Sequence, residues 1–352
     1  MSGEASPAGR WRRLRRLGRP LLQLALLALA GYLVWRSLHI VRWAELRGLL
    51  VRASPRWTLV GILFLVLRYV AWDVRWRLAL RYLGPLPPVL HSFFTLLSAF
   101  SANAITPTAR VVGGLLRARH IAGRGDHTFG RVYGVVLFDQ IAHQTVMAAT
   151  GWMAFIGAAL WFGQRALAVV AAIALVAAAT VVSHLFGRFD DAQAERLAAW
   201  LESRRGDRAG GKMRALYLHG QDAVRVLRQL LGRPHLRLAV LLLGLAYVLL
   251  NALGQWALFR ALGRPLDLLT VLVAVTAGIA VGGFTGTPGG VGTTEAGMIL
   301  TLVALEVPRL DAAAGTLLYR GLHYALILGL GLPATFVFEA RLRRRLPREE
   351  GA

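Results

Sequence analysis

The chain has 352 residues, of which 56% are hydrophobic, and its formal net charge is +23. The absence of cysteine excludes disulfides, thiolate metal sites and cysteine nucleophiles. The positive charge does not indicate nucleic-acid binding, because the arginines collect at the ends of apolar runs and not on a soluble domain with interleaved aromatic residues. The apolar runs therefore decide the class of protein.

Nine apolar runs follow one another along the chain, and a membrane-spanning helix needs about 20 residues. They predict an all-α polytopic membrane protein. The first run follows a basic N-terminus, but we interpret it as a retained anchor, because no small-x-small cleavage site precedes Tyr32 and Trp35. The runs cover residues 20–35, 57–72, 88–106, 132–157, 166–187, 238–259, 268–284, 289–305 and 312–338.

Basic segments divide the chain into two membrane halves. Arginine-rich flanks are expected on the cytoplasmic side, which predicts a bacterial cytoplasmic membrane protein with both termini and a central linker inside the cell. In the linker, Ala194–Leu201 and Met213–Leu231 mix apolar residues at helical spacing with charged ones, which predicts amphipathic helices on the inner leaflet. The predicted units are a basic N-terminus at 1–19, a first membrane half at 20–187, the linker at 188–235, a second membrane half at 236–340 and a basic tail at 341–352.

If the termini and the linker lie on one side of the membrane, each half crosses it an even number of times. The total number of crossings is then even, so the nine apolar runs cannot all be spanning helices. We therefore expect residues 88–122 to form a re-entrant helical hairpin from the cytoplasmic side, and 268–305 to form a second from outside. About six spanning helices remain. Two hairpins of opposite orientation are typical of an inverted-repeat transporter. This topology places the arginine-containing segment 36–56 outside.

The most unusual stretch is TGTPGGVGTTEAG, which separates two apolar runs and contains five glycines. Non-helical backbone survives at membrane depth only when protein buries it or when it lines a wet cavity. Pro288 is expected to end the preceding helix, and Gly289, Gly290 and Gly292 permit backbone conformations that other residues avoid. The stretch therefore predicts a turn inside the protein.

The next helix is expected to begin near Glu295, with Thr293 or Thr294 as its cap. Free amides at a helix N-terminus form a natural anion site, so the break is a candidate site for a lipid phosphate.

Charged residues within the apolar runs are expected to pair or to line a polar path. Glu295 and Arg320 lie in adjacent segments and are predicted to pair, either to lock two helices or to gate a substrate. Asp139 and His143 share one helix face, which fits a proton relay or hydrogen bonds between helices. Asn251 and Gln255 are expected to join helices by hydrogen bonds.

Other kinds of site find no support in the sequence. No spacing supplies the three or four ligands of a metal site, and no phosphate-binding loop for a nucleotide is present, so no cofactor is expected. Four tryptophans near run ends are predicted to be interfacial anchors. They are Trp72, Trp76, Trp152 and Trp161.

The stretch Pro288-Gly-Gly-Val-Gly-Thr-Thr-Glu295 resembles the P-G-G-x-G-x-x-E signature of the flippase-like family typified by the transmembrane region of lysylphosphatidylglycerol synthase. Leu318-Tyr-Arg320 looks like the family's later L-x-R element, and the resemblance covers residues 20–340. An N-x-x-x-P-x-x-R-x-G-x-x-x-R element of the first half is matched by Asn103, Pro107, Arg110, Gly113 and Arg117.

The resemblance implies a lipid flippase that moves a phospholipid or a polyprenyl-linked lipid, because the aminoacyl-transferase domain of the two-domain synthases is missing. Arg110, Arg117 and Arg320 would then attract an anionic or phosphate headgroup. The family's usual acidic residue is replaced by Gly114, so no salt bridge is expected at this position.

Two alternatives to a flippase stay open. One is an integral-membrane enzyme acting on lipid-linked substrates, with Asp139 and His143 as acid and base. The other is an accessory subunit in envelope synthesis. A second copy of the chain or a lipid-biosynthesis enzyme is a candidate partner.

Overall fold

The computed structural model describes residues 43–106, 111–122, 127–161, 163, 211–285 and 288–345. Within these residues every regular element is a helix, which confirms the all-α prediction. The predicted runs at 20–35 and 166–187 and the linker stretch Ala194–Leu201 lie outside the described residues.

Ten α-helices occupy the described part of the chain, and short 3₁₀ turns cover Arg81–Leu83 and Pro288–Gly290. The helices are α1 Trp43–Val51, α2 Pro55–Leu80, α3 Val89–Ile105, α4 Val111–Ile121, α5 Phe129–Trp161, α6 Gly211–Leu231, α7 Pro234–Ala261, α8 Leu268–Thr285, α9 Thr293–Ala304 and α10 Arg309–Arg345.

Three of these helices are long and apolar enough to cross a membrane, namely α2 with its following turn, α7 and α10. Their outer surfaces carry large apolar side chains, which is the surface that lipid requires. Leu59 is 66% exposed on α2, Leu242 is 57% exposed on α7 and Phe336 is 73% exposed on α10. The prediction of a polytopic membrane protein is therefore confirmed.

Helices α2 and α7 form an antiparallel central pair. The amide of Ser54, just before α2, donates to the carbonyl of Ala261 at the end of α7 over 2.7 Å. Farther along, Gly61 packs against Leu258, and Arg68 bonds to Asn251. The C-terminal end of α2 and the C-terminal end of α7 therefore lie at opposite ends of the molecule.

The first hairpin consists of α3 and α4, and it starts and finishes beside the C-terminal end of α2. Arg77 on α2 donates to the carbonyl of Pro87 over 2.8 Å, just before α3 begins. Beyond α4, Nε2 of His127 lies 3.0 Å from the carbonyl of Pro85. The chain therefore enters and leaves this hairpin at one end of the α2–α7 pair.

The second hairpin consists of α8 and α9, and it starts and finishes beside the C-terminal end of α7. Leu302 and Val307, at and beyond the end of α9, share one apolar cluster with Leu258 and Leu262 of the α7 end. Because α2 and α7 are antiparallel, the two hairpins enter the molecule from opposite ends, as the inverted arrangement predicts.

The tips of the two hairpins meet in the middle of the molecule. A Cβ atom placed on Gly289 in the second tip would lie 3.1 Å from the Cα of Ala104 in the first. Close helix packing shapes each hairpin. A Cβ on Gly113 of α4 would lie 2.5 Å from the carbonyl oxygen of Ala99 on α3, so only glycine fits there.

Helix α10 lies along both hairpins and forms ion pairs at both ends of the α2–α7 pair. Near its start Asp311 pairs with Arg264 at 3.0 Å, and near its end Glu339 pairs with Arg119 of α4 at 2.9 Å. With 37 residues it is about 55 Å long, well beyond the roughly 30 Å of a hydrocarbon core. It continues to Arg345, into the predicted basic tail.

The described end of the linker forms α6, as the pattern at Met213–Leu231 predicts. This helix packs on the first turns of α5, where Gly130 lies against His219 and Gly134 lies against Ala223. Its contact with the inner leaflet stays a prediction.

The sidedness of the hairpins can be tested by cysteine labelling, because the chain has no native cysteine. Thr128 follows the first hairpin and Arg309 follows the second, and both are exposed. In Thr128→Cys and Arg309→Cys variants, we expect a membrane-impermeant maleimide to label position 128 from the cytoplasm and position 309 from outside. Labelling of both from the same side would contradict the inverted arrangement.

Candidate functional site

A polar cavity of about 240 Å³ lies where the two hairpin tips meet. The tips supply Asn103, Gly289 and Gly290, and α10 supplies Arg320, so four of the predicted substrate-binding residues come together. His143 of the predicted proton relay lines the same cavity. Pro107 and Arg110 lie outside the described residues, and Pro288 begins the 3₁₀ turn.

The glycines of the second tip adopt the conformations that the sequence led us to expect. The φ angles are +59° at Gly289, +69° at Gly290 and +82° at Gly292, in a region that side chains with a Cβ rarely enter. The chain can therefore turn between α8 and α9 without a longer loop.

The predicted threonine cap is wrong, because α9 begins two residues earlier than expected. Gly292 is the N-cap residue, and Thr293 is the first helical residue. The amide of Gly292 donates to Oε2 of Glu295 over 2.6 Å, and the hydroxyl of Thr293 donates to the carbonyl of Gly290 over 3.3 Å. A carboxylate can reach back to this amide from the third helical position, as in a capping box.

The predicted pair of Glu295 and Arg320 is confirmed. Nε of Arg320 donates to Oε1 of Glu295 over 2.5 Å, and the two side chains are 10% and 13% exposed. The same guanidinium donates to the carbonyl of Gly289 over 3.2 Å and bonds to Tyr324. Glu295 therefore holds both an arginine and the amide that we expected to be open to a lipid phosphate.

Arg68 lines the same cavity, and the sequence analysis missed it. It lies in the middle of α2 and is 2% exposed. Its guanidinium donates to the hydroxyls of Tyr319 over 2.7 Å and Tyr69 over 2.9 Å, and it bonds to Asn251 and His323. Three of these four partners are uncharged hydrogen-bond acceptors, and the fourth is the imidazole of His323. No described carboxylate lies within ion-pair distance of this arginine.

A signal for Arg68 was present, because an arginine inside an apolar run is a functional indication by default. Arg68 was missed because the arginines were interpreted as flanks of membrane spans. The expected role of Asn251 as a hydrogen-bonding residue between helices is confirmed, since it bonds to Arg68 on α2 and to Tyr319 on α10. The same expectation is wrong for Gln255, whose buried side-chain amide has no hydrogen-bond partner among the described residues.

Aromatic rings surround the cavity, and guanidinium groups lie over their faces. The Arg68 guanidinium lies 4.6 Å from the ring centre of Tyr69 and 5.7 Å from the centres of Tyr247 and Tyr319. Arg320 lies 4.7 Å from the ring centre of Tyr324. These distances are typical of cation–π contacts.

Trp72 and Trp76 are not interfacial anchors, which corrects the prediction for these two residues. They are 5% and 0% exposed, and their indole N–H groups donate hydrogen bonds to buried carboxylates. Trp72 donates to Asp139 over 2.8 Å, and Trp76 donates to Asp73 over 2.9 Å. The other two, Trp152 and Trp161, lie on the outer surface.

Asp139 joins three helices. Its carboxylate pairs with Arg75 of α2 at 2.7 Å and with Arg117 of α4 at 2.8 Å, and it is 1% exposed. The partner of Arg117 is thus Asp139 on α5, and no acidic side chain is needed at position 114. His143, one turn along, packs its ring 4.2 Å from Trp72. This geometry supports the role in joining helices, and the proton relay stays a prediction.

A second cavity, of about 430 Å³, adjoins the first. Both are lined by Trp72, Phe100, Asn103, His143 and Gln144, so the two spaces are neighbours across these side chains. The second cavity is also lined by Leu96, Ala99, Gly113, Gly114, Arg117, Ile141 and Ala148.

In the part of the chain that the structure describes, no three His, Cys, Asp or Glu residues come together as a metal site would require.

We expect Asp139→Asn to destabilise the protein, because it leaves Arg75 and Arg117 buried without a counter-charge. Removing one partner of a buried ion pair can cost about 3 to 5 kcal/mol. Thermal unfolding of the purified protein measures this, with Asp267→Asn as a control at an exposed carboxylate. An Asp139→Asn protein of wild-type stability that has lost activity would instead favour the proton relay.

Comparison with known proteins agrees with the resemblance that the motifs carry. A family model described as the lysylphosphatidylglycerol synthase TM region matches residues 21–331. Over 342 residues the chain is 20% identical to a protein of Methanothermobacter thermautotrophicus named "UPF0104 membrane protein", and the alignment covers 95% of this chain and 99% of that relative. The chain therefore belongs to the family of the lysylphosphatidylglycerol synthase transmembrane region.

Proposed function

We propose that this protein translocates a lipid with an anionic or phosphate headgroup across the bacterial cytoplasmic membrane. The observation that carries the proposal is the 240 Å³ polar cavity between the two hairpin tips, with the buried guanidinium of Arg68 in its wall. A polar site at the meeting point of two oppositely oriented broken helices is the usual design of an alternating-access transporter.

The two neighbouring cavities offer a path for such a lipid. The headgroup passes between the hairpin tips, where arginine, tyrosine and asparagine side chains replace its water shell. The second cavity has an apolar wall that includes Leu96 and Ile141, and it reaches the exposed residues Gln144 and Thr145 of α5. The acyl or prenyl chains stay on this outer side, in lipid.

Glu295 is the gate of this path. In the observed structure its carboxylate pairs with Arg320 and accepts the Gly292 amide, so it holds two groups that an anionic headgroup could bind. A phosphate that enters competes with Glu295 for both groups, since guanidinium and backbone amide groups donate to carboxylate and to phosphate oxygens. Substrate binding and opening of the tip are thereby coupled.

The enzyme alternative has less support. A general base needs an accepting oxygen that can reach its substrate, whereas the carboxylate of Asp139 already accepts hydrogen bonds from Arg75, Arg117 and Trp72. Without a nucleotide-binding motif, translocation proceeds as facilitated exchange or by coupling to an ion gradient.

Reconstitution tests the proposal directly. Protein-only liposomes that contain a fluorescent phospholipid should show exchange between leaflets, measured by dithionite quenching of the outer leaflet. Glu295→Gln should abolish this exchange, because Arg320 then lies buried without its carboxylate. The double variant Glu295→Arg with Arg320→Glu should recover part of it. Wild-type exchange by Glu295→Gln would refute the gate.

We expect Ala148→Phe to slow exchange at least severalfold, because the larger side chain fills the second cavity while the exposed position on α5 tolerates it. Met153→Phe is the matched control, since Met153 is 55% exposed on the same helix and lines neither cavity. Equal exchange rates in the two variants would exclude the second cavity from the path.

A further inference from the structure

We infer that the cavity between the hairpin tips selects lipids whose headgroup is anionic and carries no amine, such as a phosphoglycerol or a polyprenyl phosphate, over aminoacylated headgroups. This inference rests on the proposed function and specifies its substrate class. It depends on three properties of the cavity wall: its charge, the state of its aromatic rings and its neutral hydrogen-bonding groups.

The charge of the wall is positive. Of the described residues that line the 240 Å³ cavity, the charged ones are Arg68 and Arg320, and none is an aspartate or a glutamate. Glu295 contacts Arg320 from outside this lining. Among the described residues, the partners of Arg68 are three uncharged side chains and the imidazole of His323. A buried guanidinium without a carboxylate partner among the described residues favours an anion in the cavity and disfavours a second cation.

The aromatic rings do not form an ammonium cage. Such a cage requires ring faces that are open to the ligand, because the attraction comes from the face of the ring. Here the guanidinium of Arg68 lies near the rings of Tyr69, Tyr247 and Tyr319, and that of Arg320 lies over Tyr324. These rings therefore already make cation–π contacts with the protein's own guanidinium groups, which compete with an ammonium group of a ligand.

The remaining polar groups suit hydroxyls. Neutral amide and hydroxyl groups line the cavity at Asn103, Asn251, Tyr319 and Tyr324. Each already has a hydrogen bond within the protein, which a hydroxyl of the headgroup would replace or join. These groups both donate and accept hydrogen bonds, which matches a polyol beside a phosphate. A lysyl or alanyl ester would bring an ammonium group among them, and none of the described lining residues carries a carboxylate to receive it.

The test compares lipids that differ only in the amine. Full-length protein in nanodiscs is titrated with phosphatidylglycerol, with lysylphosphatidylglycerol and with lysylphosphatidylglycerol acetylated on both amino groups, and binding is followed by native mass spectrometry. We expect phosphatidylglycerol to bind at least about tenfold more tightly than the lysyl ester. Acetylation should recover most of that difference, because it removes the positive charge and retains the size of the headgroup.

Arg68→Gln should remove the preference, whereas Arg68→Lys should retain part of it. Arg264→Gln is the matched control, because Arg264 is 52% exposed and pairs with Asp311 away from the cavity. If Arg68→Gln does not fold, the three-lipid comparison on the wild-type protein decides alone. Competition by inorganic phosphate and by deacylated glycerophosphoglycerol distinguishes free anions from a membrane lipid as the ligand.

Equal binding of the three lipids, tighter binding of the lysyl ester or binding of none would overturn the inference. So would displacement of phosphatidylglycerol by inorganic phosphate alone at equal concentration. Because binding is measured without transport, a protein that shows the preference but moves no lipid between leaflets contradicts the proposed function and leaves the selectivity established.

Discussion

Two interrupted helices in the middle of a membrane protein must shelter each other's backbone from hydrocarbon. An unpaired amide or carbonyl at this depth costs several kcal/mol, so an isolated break would not persist. Here the first tip lies against Gly289 of the second, and Glu295 and Arg320 satisfy the Gly292 amide and the Gly289 carbonyl. The meeting of the tips therefore determines where the polar cavity lies and which residues can reach it.

The buried arginines fall into two groups with different consequences. Arg75 and Arg117 share the carboxylate of Asp139 and hold α2, α4 and α5 together, which makes them part of the scaffold. Arg68 and Arg320 face the cavity. The first of these has no carboxylate among the described residues, and the second pairs with Glu295. Charge on the scaffold side is thus balanced within the protein, while the charge of Arg68 on the cavity side is the one that the proposed headgroup would balance.

The sequence predicted the hairpins well because their signals are local. Proline and glycine at 288–292 interrupt an apolar run whatever surrounds them, and the pair of Glu295 and Arg320 follows from the cost of burying either charge. The cavity wall was not predictable in the same way. Arg68 meets Tyr319 and Asn251 only after α2, α7 and α10 pack together. The indoles of Trp72 and Trp76 look like interfacial anchors until that packing places them beside carboxylates.

A cross-link between the hairpin tips tests the central claim most directly. A Cβ on Gly289 would lie 3.5 Å from the Cβ of Ala104, which is within the range of disulfides. In a protein without native cysteine, Ala104→Cys combined with Gly289→Cys should form this bond on oxidation. The account predicts that oxidation stops lipid exchange in liposomes and that reduction recovers it. A quantitative cross-link with unchanged exchange would contradict the account.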